Sequence, residues 1–308
     1  MTSFNNKKKF LLVIAGPTAS GKTNAAIQLA KHFNTEIVSA DSRQFYREMN
    51  IGTAVPSRRQ LEECKHHFIQ HISIKTKYDV GAYELDALTL LDKLFENHDI
   101  VVLTGGSGLF IDAVCRGLDN LPDISLEIRN KVTELFDSEG ILGLQETLIK
   151  LDPTYYETVD KQNPRRLQRA LEVCFQTGIP YSYFRKRAMK PRKFDVIWTA
   201  LLVDRMDLIN RINHRVEDML AAGQVEEAKK LYPHRHLNAL NTVGYRELFD
   251  YFEGKCSISE AIENIKVNTR QYAKRQMTWF RKNKDYHWFF PSDTDGLIKY
   301  VSKKISQD

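Results

Sequence analysis

The sequence predicts an α/β fold: a parallel sheet flanked by helices, with a helical insertion. Three observations carry this. Short runs that are apolar almost throughout, at residues 10–15, 100–103 and 196–203, alternate with stretches of helical spacing. Strands apolar on both faces belong in a parallel sheet covered on both sides. A glycine-rich loop, Gly16-Pro17-Thr18-Ala19-Ser20-Gly21-Lys22-Thr23, joins the first such run to a helical stretch. Between about Arg116 and Asp195 the strand pattern stops and only helical spacing remains.

Taken in order, residues 10–15 form a strand ending in Gly-Pro, and residues 23–33 a helix with Ala26, Ile27, Leu29 and Ala30 apolar. Residues 36–40 read as a second strand ending at Asp41, and residues 68–72 as another short one. Residues 83–95 place Leu85, Leu88, Leu91, Leu94 and Phe95 on one side of a helix. Residues 100–103 form a strand that enters Gly105-Gly106. Residues 126–136 and 141–151 are two amphipathic helices. Asn163-Pro164 opens another, with Asn as N-cap and Pro at the first helical position. Ser257-Ile-Ser-Glu260 fits a capping box at the start of a long helix. The expected organisation is a core domain of residues 1–115 and 196–308, including C-terminal helices, and a helical insertion domain of residues 116–195.

A chain of 308 residues has room for this. With 42% hydrophobic and 27% charged residues, it is neither disordered, collagen-like nor a coiled-coil rod. No apolar run approaches the ~20 residues that span a bilayer. Lys7, Lys8 and Lys9 precede the first strand, but the glycine loop follows where a signal peptide needs a longer apolar core. A cytoplasmic protein is expected. Cys64, Cys115, Cys174 and Cys256 lie far apart, which argues against a zinc site or a redox pair. His66, His67, His71, His234 and His236 have no cysteine or carboxylate at ligand spacing and read as ordinary core or surface histidines.

The net charge of +6 is unevenly spread. Residues 161–193 carry Lys161, Arg165, Arg166, Arg169, Arg185, Lys186, Arg187, Lys190, Arg192 and Lys193 against Glu172 alone, a net of +9. Residues 264–287 carry Lys266, Arg270, Lys274, Arg275, Arg281, Lys282 and Lys284 against Asp285 alone, a net of +6. The rest of the chain is therefore acidic. Such concentration is the footprint of a nucleic-acid partner; two solvated helix faces are the plainer alternative.

The loop at 16–23 matches G-x-x-x-x-G-K-[ST] between a strand and a helix, which predicts a P-loop NTPase-like core that binds a polyphosphate or pyrophosphate. Glycines let the backbone curl so that N–H groups converge, and the helix N-terminus adds partial positive charge. Lys22 neutralises the outer phosphate, and the Thr23 hydroxyl can ligate Mg²⁺. A typical ATPase carries a strand-end Asp for that metal. Here the strand at 100–103 runs instead into Thr104-Gly105-Gly106-Ser107-Gly108. Ligands of open α/β sheets lie at the carboxyl ends of strands, so residues 16–23, Asp41 and residues 105–107 should converge. Asp41 is a candidate general base or Mg²⁺ partner; capping the next helix is its alternative role.

Further motifs follow in order: Asp41-Ser42-Arg43-Gln44-x-Tyr46, Asn50-Ile-Gly-Thr53-Ala54, Gly105-Gly106-Ser107, Asn163-Pro-Arg165-Arg166-Leu167-Gln168-Arg169-Ala-Leu-Glu172, Arg211-x-x-x-Arg215, Val243-Gly-Tyr-Arg246 and Thr269-Arg-Gln271-x-Ala-Lys-Arg-Gln276-x-Thr-Trp279-x-Arg281. Together with the phosphate loop this set resembles the bacterial tRNA dimethylallyltransferases, also called tRNA isopentenyltransferases, over nearly the whole chain. The resemblance implies transfer of a dimethylallyl group from dimethylallyl diphosphate to N6 of adenosine 37 of tRNA, just 3′ of the anticodon. The loop, residues Gly16 to Thr23, then holds the diphosphate leaving group, with Mg²⁺ near Thr23. Lys22 and Arg215 stabilise the departing charge, and Asp41 takes the proton of the amine. The target base must be flipped out of its stack.

Contacts to the tRNA anticodon stem-loop are implied for Asp41, Ser42, Arg43, Gln44, Ser107, Arg129 and Arg165 to Arg169. Lys266, Arg270 and Lys274, spaced by four, are expected to form a basic stripe suited to backbone phosphates. Ser107 stands where relatives commonly have threonine, keeping the hydroxyl. Arg43 stands where relatives vary and carries no inferred role beyond proximity. The zinc finger of eukaryotic members is missing. The expected protein is a monomer without membrane contact. Two rival readings are a small-molecule enzyme (a phosphate-loop kinase or a prenyltransferase of free adenine nucleotides), which needs no basic insertion, and a nucleotide-gated RNA-binding module, which tolerates Asp41→Asn.

Overall fold

A computed structural model of the chain describes residues 8–186 and 189–307; Lys7 and Arg187, named above, lie outside them. The strands are β1 (Phe10–Ala15), β2 (Ile37–Ser39), β3 (His66–His67), β4 (Ile100–Gly105), β5 (Asp195–Leu201) and β6 (His287–Phe289). They form one parallel sheet in the order β3-β2-β4-β1-β5-β6, with helices on both faces, as the sequence predicts. β1 lies between β4 and β5, its residues in register with 100–105 and 195–200.

Period-two geometry explains why β1 is apolar throughout. Leu11, Val13 and Ala15 pack on one face with Tyr83, Ala87 and Leu91 of the helix Val80–Asn97. Phe10, Leu12 and Ile14 pack on the other with Ala26, Ile27, Leu29 and Ala30 of the helix Lys22–His32. Leu297 and Val301 of the C-terminal helix Thr294–Gln307 complete that second face.

The expected strand at 68–72 is corrected. The edge strand is His66–His67, and Phe68 (φ 61°) and Gln70 (φ 49°) then turn left-handed, which no extended strand accommodates. Only an isolated bridge joins Ile72 to Tyr46. The short strand β6 was not anticipated.

The chain divides into two compact units, residues 1–115 with 192–308, and residues 116–191. Residues 192–195 therefore fold with the first unit rather than with the insertion. Arg192 explains the difference. It donates to the carbonyls of Val114 and Ala113 (both 2.8 Å) and to the buried carboxylate of Glu84 (2.7 Å).

The second unit is helical. Its helix Leu126–Leu151 breaks at Gly140 (φ 66°), so the two stretches read from sequence are two helices meeting at a kink. Asn163 caps the helix Pro164–Thr177 by accepting the Arg166 N–H, and Ser182 and Tyr155 donate their N–H groups to Asp152. Val132, Leu144, Leu148, Tyr155, Leu167 and Leu171 form its core. No helix among the described residues is long and apolar enough to cross a membrane.

The end of β4 passes the end of β2 at backbone contact. A Cβ at Gly105 would meet the carbonyl of Ala40, which itself accepts the Ser107 N–H (3.3 Å). We expect Gly105→Ala to destabilise the fold by about 2 kcal/mol or more, the scale of overpacking against atoms that cannot yield. Urea unfolding measures this, and an unchanged midpoint refutes it.

Candidate active site

The carboxyl ends of β1, β2 and β4 bring the phosphate loop, Asp41 and residues 104–105 to one pocket. The chain after β5 adds the helix Arg205–Ala221, and with it Arg215.

The loop curls because Ala19 (φ 61°) and Gly21 (φ 90°) are left-handed, an alternation that makes backbone N–H groups converge on an anion. Gly21 is also the N-cap of the helix Lys22–His32. Lys22 Nζ turns back to the Pro17 carbonyl at 2.6 Å. Burial pulls its pKa down to about 8, against the Asp41 charge, which raises it. Arg215 Nη1 donates to Thr18 Oγ1 (3.3 Å); burial lowers this guanidinium too, with Asp41 opposing. Neither desolvated cation is paired with a carboxylate among the described residues, an arrangement that suits an anion. Ser20 is fully buried, and its hydroxyl finds no partner among the described residues.

Asp41 opens a four-residue turn rather than a helix. Its Oδ1 accepts the Arg43 N–H (3.2 Å), so the capping alternative holds only for this turn and one oxygen. Oδ2 accepts no hydrogen bond among the described residues and stays available. Ser42 N–H donates to Ser107 Oγ, and their hydroxyls also meet, both at 3.1 Å. Gln44 gives its amide N–H groups to the carbonyls of Thr53 (3.3 Å) and Ala54 (2.9 Å). That leaves Gln44 Oε1 as an acceptor. Arg43 donates to the carbonyls of Ala239 and Asn241 (3.3 and 3.5 Å).

The Asn50–Ala54 motif has a structural cause. The Glu227 carboxylate accepts the N–H groups of Asn50, Ile51 and Gly52 (3.0, 2.8 and 2.9 Å) and the Tyr245 hydroxyl (2.6 Å). The Tyr245 ring fills the place of a side chain at Gly52. This clamp sets the carbonyls that hold Gln44.

The remaining candidates sit on helices of the second unit and on the helix Ile258–Lys282. Arg165 and Arg166 are exposed, while Arg129, Gln168 and Arg169 are half-exposed; Arg169 pairs with Glu172 (3.2 Å). Leu167 is buried in the core of its unit, so its side chain offers nothing to a partner. The expected stripe of Lys266, Arg270 and Lys274 is also corrected. Lys266 is only 15% exposed and pairs with Glu217 (3.0 Å) and Glu263 (3.3 Å). Arg270 donates to Asn213 (2.8 Å), and Lys274 alone of the three is exposed. The cause is the neighbouring helix Arg205–Ala221, which supplies Asn213 and Glu217.

Sequence reasoning missed Glu227, Tyr272 and the pocket position of His66, and gave Gln276, quoted within a motif, no role. Burial and the nearby Asp41 charge push the Tyr272 phenol up to about 12. His66 lines the pocket with Nδ1 against the Cys64 carbonyl (2.8 Å), and burial holds its pKa down. A signal existed for Thr269, Tyr272 and Gln276. They are polar residues spaced by three and four on the face that the apolar Ile265 and Ala273 mark as buried.

The IPP transferase family model matches residues 44–283. A tRNA dimethylallyltransferase of Christiangramia forsetii is 50% identical over 298 residues, 96% of this chain and 99% of its own. A full-length tRNA isopentenylpyrophosphate transferase from Bacillus halodurans is similar in structure, with a TM-score of 0.73 and 33% identity over 98% of each chain. A eukaryotic dimethylallyltransferase acting on tRNA gives a TM-score of 0.75 at 26% identity, over 96% of this chain and 77% of its own.

The depressed Lys22 pKa predicts a pH dependence. The ammonium is charged below about 8, and a bound anion favours that form. Affinity for inorganic pyrophosphate should therefore be full below about 8 and fall as the pH rises through it. Calorimetry from about pH 7 to about pH 9.5 tests this, and a flat profile refutes it.

Proposed function

We propose that this chain, which belongs to the IPP transferase family, transfers a dimethylallyl group from dimethylallyl diphosphate to N6 of adenosine 37 of tRNA, forming N6-isopentenyladenosine and releasing diphosphate. One observation carries the reading: Lys22 and Arg215 share a single pocket with the carboxylate of Asp41. A displacement needs both functions. As the C1–O bond of the allylic diphosphate breaks, its electron pair moves to the diphosphate, and carbon becomes cation-like. Lys22 and Arg215 stabilise that developing anion. The N6 amine forms the new C–N bond, and Asp41 Oδ2 accepts its proton. The Arg43 N–H on Oδ1 fixes the carboxylate's orientation.

The donor set suits Mg²⁺. No group of three or more His, Cys, Asp or Glu forms a metal cage among the described residues. Thr23 and Asp41 instead line the pocket where the phosphates would be, and Mg²⁺ commonly takes one or two protein oxygens beside phosphate oxygens and water. When bound through the Thr23 hydroxyl, it would neutralise diphosphate charge.

Gln44 Oε1 and the Ser42–Ser107 hydroxyls are assigned to the flipped base and its neighbours. Arg165, Arg166 and Arg169, with Arg129, Gln168 and Lys274, are assigned to the anticodon stem-loop. The chain is taken to act as a monomer in the cytoplasm.

The direct test incubates the protein with Mg²⁺, dimethylallyl diphosphate and unmodified tRNA, digests the RNA and weighs its nucleosides. An adenosine heavier by C5H8 is expected; modification of free AMP, or consumption of ATP instead, overturns the reading. In this assay Asp41→Ala should lower turnover by at least ~100-fold with tRNA affinity nearly unchanged. Near-normal turnover removes the base assignment. Arg165→Ala with Arg169→Ala should weaken tRNA binding and flatten its salt dependence. An unchanged slope places the RNA contact elsewhere.

A further inference from the structure

Among the described residues, the helix Ile258–Lys282 hydrogen-bonds to the phosphate loop through Gln276. It is buried, and both ends of its amide are used. Oε1 accepts the Thr18 N–H at 2.8 Å, and Nε2 donates to the Gly106 carbonyl at 2.8 Å. Gln276 Nε2 sits where a Cβ at position 106 would be, so any side chain there would displace the amide from its two bonds. A buried amide is costly unless both its groups are satisfied, and an apolar residue would fill the same space without that demand. The two bonds are therefore the reason for glutamine here.

Thr18 has a second partner. Its Oγ1 accepts from Arg215 Nη1 (3.3 Å), so a continuous chain runs from Gly106 through Gln276 and Thr18 to the guanidinium. The Thr18 N–H, once taken by Gln276, is closed to phosphate. Anion binding then falls to the amides nearer the helix N-terminus, beside Lys22.

We propose that Gln276 is a positioning residue of the diphosphate site, holding Thr18, and through it Arg215, where the leaving group's charge develops. The inference rests on the functional reading above for the identity of the anion. It does not need Gln276 to touch substrate.

Gln276→Met keeps the side chain's length and removes both hydrogen bonds. Thr18→Val removes the Oγ1 acceptor and keeps the amide bond to Gln276. Each variant and the double variant are compared with the wild type for pyrophosphate binding by calorimetry, and for kcat and the two KM values with tRNA. Each single change should weaken pyrophosphate by about tenfold and lower kcat by a similar factor, the scale of one or two lost buried hydrogen bonds. The KM for tRNA should stay within about twofold. The double variant should be hardly worse than either single one, because both break the same chain.

Wild-type pyrophosphate affinity in Gln276→Met overturns the proposal, and so do losses that multiply in the double variant. Gln276→Leu, which has neither group and adds no charge, repeats the test should Met disturb folding. Unchanged affinity in a variant that melts normally again overturns it. A wild type that binds pyrophosphate but makes no isopentenyladenosine defeats the functional reading alone; the pyrophosphate comparison still decides the role of Gln276.

Discussion

The missing side chains at the end of β4 govern the rest of the site. Gly105, Gly106 and Gly108 each leave a space that something else occupies: the backbone of Ala40, the amide of Gln276 and the ring of Trp279. The first brings the Asp41 turn against the strand end. The second and third seat the helix Ile258–Lys282, with Trp279 also donating to Asp112 (2.8 Å). Closeness of this kind is available only to glycine, since even one methyl group has no room to move. The phosphate loop, the carboxylate and the long helix thus share one small anchor.

Electrostatics then shape what the pocket accepts. Lys22 and Arg215 are desolvated, and Asp41 is the negative charge that acts on both. Such a site is under-neutralised until an anion enters. Water exclusion strengthens each of these interactions relative to the surface. The basic segments belong to a different scale. Arg192 and Lys266 are tied to Glu84 and Glu217, so part of the charge counted in the sequence is spent inside the fold.

Much of the architecture was legible because its signals are local. Continuous apolarity marked β1, β4 and β5, the glycine pattern marked the phosphate loop, and Asn163 and Ser257 marked helix starts. The edge of the sheet was not legible, because β3 and β6 are two and three residues long and are defined by neighbours rather than by pattern. The site divides the same way. The loop, Asp41 and residues 105–107 were predicted to meet and share one neighbourhood. The roles of Gln276 and Glu227 escaped notice because they depend on partners 258 and about 175 residues away. Leu167 was misplaced because a motif records which residues recur, not which way each side chain turns.

The Glu227 clamp and the Gln276 tie have a consequence for the order in which the molecule is built. Residues 8–44, made first, contain the phosphate loop and the carboxylate but not the groups that fix them. Those lie at 105–107, 215, 227, 245 and 276, so the last tie closes over a very long chain loop. Closure of this kind is entropically late and slow. During synthesis the loop sequence leaves the ribosome well before the helix that steadies it. A chain interrupted before residue 276 therefore carries every part of the signature recognised first and lacks the means to hold it in place.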